Sequence, residues 1–139
     1  MATRTQTETQ ITWSASNTNS VAADNTIDYS DDFTFSSDLV DASVTIVGNS
    51  AGTATDDILE VYCARKKDPD NSNSGTPDTY DAEAYAYVGS IDCSSGNDTQ
   101  RTFPLPMIMA GTIVRFGAKN DGTNAIVVGY RVTEDKLSY

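Results

Sequence analysis

Histidine is missing altogether from this chain of 139 residues. Without an imidazole there is no ordinary general base near neutral pH, no Ser-His-Asp relay and no histidine-rich metal site, which removes most hydrolase mechanisms. Cations are scarce as well: 9 Lys plus Arg stand against 20 Asp plus Glu, a net charge of −11. A phosphate backbone or an anionic bilayer would meet repulsion over most of such a surface, so nucleic acid and membrane are not expected partners. Long apolar runs are also lacking. None, the stretch around 112–114 included, approaches the length of a spanning helix, and a soluble protein is expected.

Only two cysteines occur, Cys63 and Cys93, each inside or at the end of a strand-like run. A disulfide between them would require Cα atoms within about 7 Å, which spacing alone does not decide. Residues 1–10 hold no apolar centre of the kind a secretory signal carries, so no export signal is expected, and two reduced, semi-buried thiols are the favoured reading. Two cysteines without histidine make a poor metal site, and no metal or cofactor is expected.

What the chain does have is a rhythm of period two. Apolar and polar residues alternate in short runs separated by loops of Asp, Asn, Ser, Thr and Gly, the mark of half-buried strands. Residues 9–15 set Ile11, Trp13 and Ala15 against Gln10, Thr12 and Ser14. Ile27 with Tyr29 and Phe33 with Phe35 follow as shorter runs. Residues 39–48 place Val40, Ala42, Val44 and Ile46 opposite Asp41, Ser43 and Thr45, and 58–65 place Leu59, Val61 and Cys63 opposite Glu60 and Tyr62. These two runs are expected to be neighbours.

Further on, 85–93 alternates Tyr85, Tyr87 and Gly89 against Ala86, Val88 and Ser90. Residues 101–105 run into Pro104 and Pro106 and belong at a sheet edge, where a missing N–H does least harm. An Asp121-Gly122 step between 112–118 and 125–133 is a strong hairpin signal. About eight strands without a helix specify an all-β fold: a single antiparallel β-sandwich, jelly-roll-like, over 11–139. Residues 1–10 read as a Thr-rich N-terminal arm, either frayed or paired with a neighbouring subunit. The expected core includes Ile11, Trp13, Val44, Ile46, Val61, Phe116, Val128 and Tyr130.

Catalysis finds little support in these residues. The acids cluster in loops beside Ser and Asn, as solvated turn residues do, and Lys66, Lys67, Lys119 and Lys136 sit outside the apolar pockets that would activate them. No catalytic residue is assigned, and the protein is expected not to be an enzyme. The run Asp68-Pro69-Asp70-Asn71-Ser72-Asn73 resembles the start of a calcium loop, but Asn73 and Thr79 stand where an EF-hand needs Gly and Glu. Residues 66–81 therefore read as a long hydrophilic surface loop, a place where partners are met. Tyr62, Tyr80, Tyr85, Tyr87 and Trp13 offer a possible aromatic platform for sugars. Arg65, Lys66 and Lys67 form a cationic spot suited to an acidic partner. Interface candidates are Arg4, Thr7, Arg65, Lys66, Lys67, Asp70, Tyr80, Tyr85 and Tyr87.

The layout over about 25–133 resembles the small β-sandwich virion proteins of tailed bacteriophages, of the capsid decoration (cement) and fibre-base or tail-accessory type. The likeness lies in Leu39-Val40-Asp41-Ala42-Ser43-Val44-Thr45-Ile46 leading through Ala51-Gly52-Thr53 into Ile58-Leu59-Glu60-Val61-Tyr62. A later Thr79-Tyr80-Asp81 and a final Asn120-Asp121-Gly122-Thr123-Asn124-Ala125-Ile126-Val127-Val128 complete it. Cys63, Cys93 and the long Asp/Asn loop depart from it. The resemblance implies a non-enzymatic virion protein, assembled in the host cytoplasm, that forms a homo-oligomer, commonly a trimer. It would contact the major capsid protein or other virion proteins and stabilise the shell. A carbohydrate- or receptor-binding module, or a tail or fibre accessory, is the alternative.

Overall fold

The computed structural model describes residues 1–13, 19–65, 85–105, 108 and 110–139. Among the described residues ten strands appear: β1 (Thr3–Gln10), β2 (Ser20–Val21), β3 (Ile27–Tyr29), β4 (Phe33–Thr34), β5 (Leu39–Ser50), β6 (Ile58–Arg65), β7 (Tyr85–Asp92), β8 (Thr99–Pro104), β9 (Ile113–Asn120) and β10 (Ile126–Ser138). They form two antiparallel sheets, one ordered β1-β10-β5-β8 with β2 also on β10, the other β3-β9-β6-β7 with β4 also on β9.

Because β1 and β2 both lie along β10, and β3 and β4 both along β9, ten strands occupy eight positions. Counted by position, first pairs with eighth, second with seventh, third with sixth and fourth with fifth. That nesting is one long antiparallel hairpin rolled over on itself, the jelly-roll arrangement, and it bears out the expected class.

Alternation explains the core. Val44 and Ile46 from β5, Leu59 and Val61 from β6, Val114 and Phe116 from β9, and Val128, Tyr130 and Val132 from β10 face the inter-sheet space and are buried. Phe116 and Tyr130, from opposite sheets, meet edge-on with ring centroids 6.0 Å apart, and Trp13 packs edge-on against Tyr130 at 5.1 Å. Trp13 is only partly buried. Val40, expected inside, is 65% exposed, because the β5–β10 register shifts there: Asp41 stands opposite Asp135 and Leu39 opposite Lys136, so Val40 is an extra residue and Leu39 packs against the core in its place.

Two expectations about pairing and one about alternation are overturned. β5 and β6 are not neighbours but lie in opposite sheets, as do β9 and β10 despite the Asp121-Gly122 step between them. A tight hairpin would put the apolar faces of β9 and β10 on one side of a single sheet. Crossing over lets each cover the other, as Phe116 and Tyr130 do. On β7 the register with β6 shifts between Val61 and Tyr62, so Val88 is an extra residue: Tyr87 faces outward opposite Tyr62, while Gly89 faces inward opposite Val61. The Phe103 ring lies where a Gly89 Cβ would be, which is why that position carries no side chain. β8, with Pro104, is an edge strand as expected.

Residues 1–10, read as an arm, supply a strand of this fold: Thr3 to Gln10 pair with Ser138 to Arg131 of the chain's own β10. Cys63 and Cys93 are both free, buried thiols. Burial pushes their pKa values up, to about 12 and about 11, so neither is a nucleophile near neutral pH.

Candidate interaction surface

A sandwich of two open sheets has four edges, and three of these are blunted. β3 and β4 are short and interrupted, β7 carries the bulge at Val88, and the six-residue β8 ends in Pro104. Such features discourage pairing with another chain. The fourth edge, β1, has eight residues in unbroken register with β10, without a bulge or a proline.

Its side chains divide cleanly. Thr3, Thr5, Thr7 and Thr9 share the face of the buried Glu134, while Arg4, Gln6, Glu8 and Gln10 share the face of Arg131 and Asp135. On that outer face Arg4 reaches Asp135 at 3.3 Å, Gln6 Nε2 donates to Asp135 at 3.3 Å, and Arg131 stands 3.7 Å from Glu8. The Ile11 N–H donates to the Tyr130 carbonyl at 2.8 Å. Since inward and outward backbone groups alternate along a strand, the odd residues of β1 bond to β10 and the even ones aim their N–H and C=O at the open edge.

A second surface lies on the outer face of the other sheet. Register brings Tyr29, Gly117, Tyr62 and Tyr87 into one row across four strands. Tyr29 and Tyr87 are 43% and 58% exposed, respectively. Tyr62 and Tyr87 meet edge-on at 5.7 Å, and the Arg115 guanidinium lies 3.9 Å from the Tyr29 ring centre. The Tyr62 hydroxyl donates to Glu60 at 3.0 Å, and Lys119 Nζ stands 3.6 Å from the same carboxylate oxygen. Burial, and then that carboxylate, hold the Tyr62 phenol above its ordinary pKa. Gly117 leaves a notch between Tyr29 and Tyr62, whose strands are about 10 Å apart at two strand spacings.

On the outer face of the first sheet an open trough of about 520 Å³ is lined by Val47, Asn49, Val127 and Gly129 among others. At the β5–β6 end of the molecule sits a buried carboxylate. Asp57 accepts from Ser50 Oγ (2.7 Å), Ala54 N (3.1 Å), Thr123 N (3.2 Å), Asn124 N (2.9 Å) and Asn124 Nδ2 (2.8 Å). Burial pushes this carboxyl up, and the donors from Asn124, Ser50 and Thr123 outweigh it, holding it well below the usual carboxylate range. With every lone pair engaged, Asp57 is a brace between two loops. Among the described residues no group of three or more His, Cys, Asp or Glu side chains gathers to hold a metal ion.

The interface candidates therefore separate. Arg4 and Thr7 lie on the β1 edge, with the Thr7 hydroxyl buried and without a hydrogen-bond partner among the described residues. Tyr87 lies in the tyrosine row, Tyr85 stands opposite Ala64 at the start of β7, and Arg65 is exposed at the end of β6. Lys66, Lys67, Asp70 and Tyr80 fall outside the described residues. Trp13 is not part of the row, since it packs against Tyr130. Sequence reading missed Tyr29 and Arg115, whose place in the row depends on register across strands. Alternation around Asp28 points the wrong way: it groups Tyr29 with Ile27 on an apolar face, whereas Asp28 stands opposite the buried Ala118 and Tyr29 faces out.

Compared with known proteins, the chain matches no family model and no curated sequence.

Proposed function

We propose that this chain is a non-enzymatic structural protein of a bacteriophage virion, most simply a capsid decoration or cement protein. In this role it is assembled in the host cytoplasm as a homo-oligomer beside the major capsid protein or other virion proteins. The observation that carries this reading is β1. Seven of its eight residues are exposed and none is apolar, so it adds almost nothing to its own core while ordering eight residues of backbone. A long regular edge of that kind serves contact between chains. The three blunted edges support the same view, since a sandwich that protects three sides and leaves one open has a defined side for assembly.

Capsids with and without the protein test this. Bound protein is expected to raise the temperature or pressure at which shells break. Shells of equal robustness with and without it, or shells that do not bind it, would remove the proposal.

The tyrosine row favours a second reading, a carbohydrate- or receptor-binding module. Aromatic faces stack on sugar rings, and Glu60, Lys119 and Arg115 beside them offer partners to hydroxyls. A glycan array then shows saturable binding that Tyr87→Ala abolishes, and a blank array excludes it.

A further inference from the structure

We infer that β1 pairs with β1 of a second copy of this chain, antiparallel about a twofold axis, with Gln6 facing Gln6 on the axis and Arg4 facing Glu8. This pairing deepens the assembly reading and rests on it for the expectation that copies meet. It sets the contact as a pair, where the resemblance implies a trimer.

The register follows from two constraints. First, the open edge presents the N–H and C=O of Arg4, Gln6, Glu8 and Gln10, as the Ile11 to Tyr130 bond requires. Hydrogen-bonded pairs across a twofold must then join even residues to even residues. Second, among those registers only the one centred on Gln6 sets Arg4 against Glu8 of the second copy, twice over by symmetry. The neighbouring registers, one centred on Thr5 and one on Thr7, oppose Arg4 with Gln6 or with Gln10 and waste the charges.

The chosen register also extends what β1 already makes within its own chain. Asp135 touches Arg4 and Arg131 stands by Glu8, so pairing creates a row of alternating sign: Asp135, Arg4, then Glu8 and Arg131 of the second copy. Symmetry repeats the row. On the opposite face Thr5 meets Thr7 and Thr3 meets Thr9, and opposite charges and paired threonines are favoured cross-strand neighbours. Two four-position sheets would join into one continuous sheet, and the unpaired backbone of the one unblunted edge would be satisfied.

Sedimentation of the purified full chain over a concentration series reads the pairing directly. A monomer–dimer equilibrium is expected; a monomer throughout, or a trimer, overturns it. Arg4→Glu and Glu8→Arg, each alone, oppose like charges at both contacts and should raise the dimer dissociation constant about tenfold. An equimolar mixture of the two variants should form a mixed dimer of near wild-type strength, because the position-4 carboxylate of one faces the position-8 guanidinium of the other. A mixture no tighter than its components overturns the register.

Gln6→Cys supplies a second readout. Its Cα atoms on the axis would lie about 5.5 Å apart, within disulfide reach, so mild oxidation should give a covalent dimer, whereas Arg4→Cys should not self-link. Equal linking at both positions overturns the placement of the axis. Capsid binding is measured separately, so a failure of the pairing is distinguishable from a failure of the virion reading.

Discussion

At one end of β10 the Asp57 carboxylate takes five hydrogen bonds from the loops before β6 and after β9. At the other end, β10 and β1 form a ribbon in which Thr7 alone among the β1 residues is even partly covered. The first end is closed around itself. Asn120 completes it, donating to the Val21 and Asn124 carbonyls at 3.3 and 2.7 Å and accepting from the Gly122 N–H at 2.9 Å. The ribbon end is held by backbone pairing and exposed ion pairs, which contribute little individually. Polar residues dominate both ends, so polarity does not separate them. What separates them is whether the polar groups are desolvated and fully partnered, or wet and available to another chain.

The comparison breaks most sharply at Asp57. Asp57→Ala leaves five donor groups of the latch without their acceptor, and a drop in melting temperature of several degrees is expected by scanning calorimetry. The pH dependence has a definite sign. A carboxyl held below its unfolded value stabilises the fold fully above that value, 3.8, and loses this contribution as pH falls through the acid range. Wild-type melting temperatures should therefore fall on acidification, and Asp57→Asn should flatten that limb. An unchanged acid limb in the variant would show that the latch carries no special weight.

Gly122 comes next. A Cβ there would stand 2.4 Å from the Asp56 carbonyl oxygen, so Gly122→Ala must displace backbone and should cost about 1–3 kcal/mol in urea denaturation. At the ribbon end, Arg4→Ala should change monomer stability by no more than about 0.5 kcal/mol. Hydrogen exchange sharpens the contrast without mutation. In the monomer, the odd amides of β1 should be protected by β10 and the even amides should exchange freely, whereas the Thr123 and Asn124 amides bound to Asp57 should exchange slowly. Uniform protection along β1 in a monomeric sample would mean its edge is not open.

Strand content was legible because period-two alternation is local: Val44, Ile46, Leu59, Val61, Phe116, Val128 and Tyr130 announce their buried faces within a few residues. Partner choice is not local. The Asp121-Gly122 step carries the turn chemistry of a hairpin, yet its loop is tied to Asp57 and its strands part into different sheets. The reverse error occurred at residues 3–10, where no apolar residue marks a strand and only the β10 ladder makes one. At Val88 a single extra residue moves Gly89 to the inner face, which no alternation count foresees. Of the candidate surface, Arg4, Thr7 and Tyr87 were identified as residues, but neither the even-odd division of β1 nor the meeting of Tyr29 with Tyr62 and Tyr87 was visible along the chain.

Composition and periodicity were enough to establish an all-β chain with a two-faced strand pattern, a strongly acidic surface and no imidazole chemistry, because each is a property of single residues or near neighbours. Which strands adjoin, which edge stays open and which acid is buried arise from contacts between segments far apart in the chain. Their energies depend on how two apolar faces cover each other and on whether a desolvated carboxylate finds its donors, and neither quantity exists until the chain has closed.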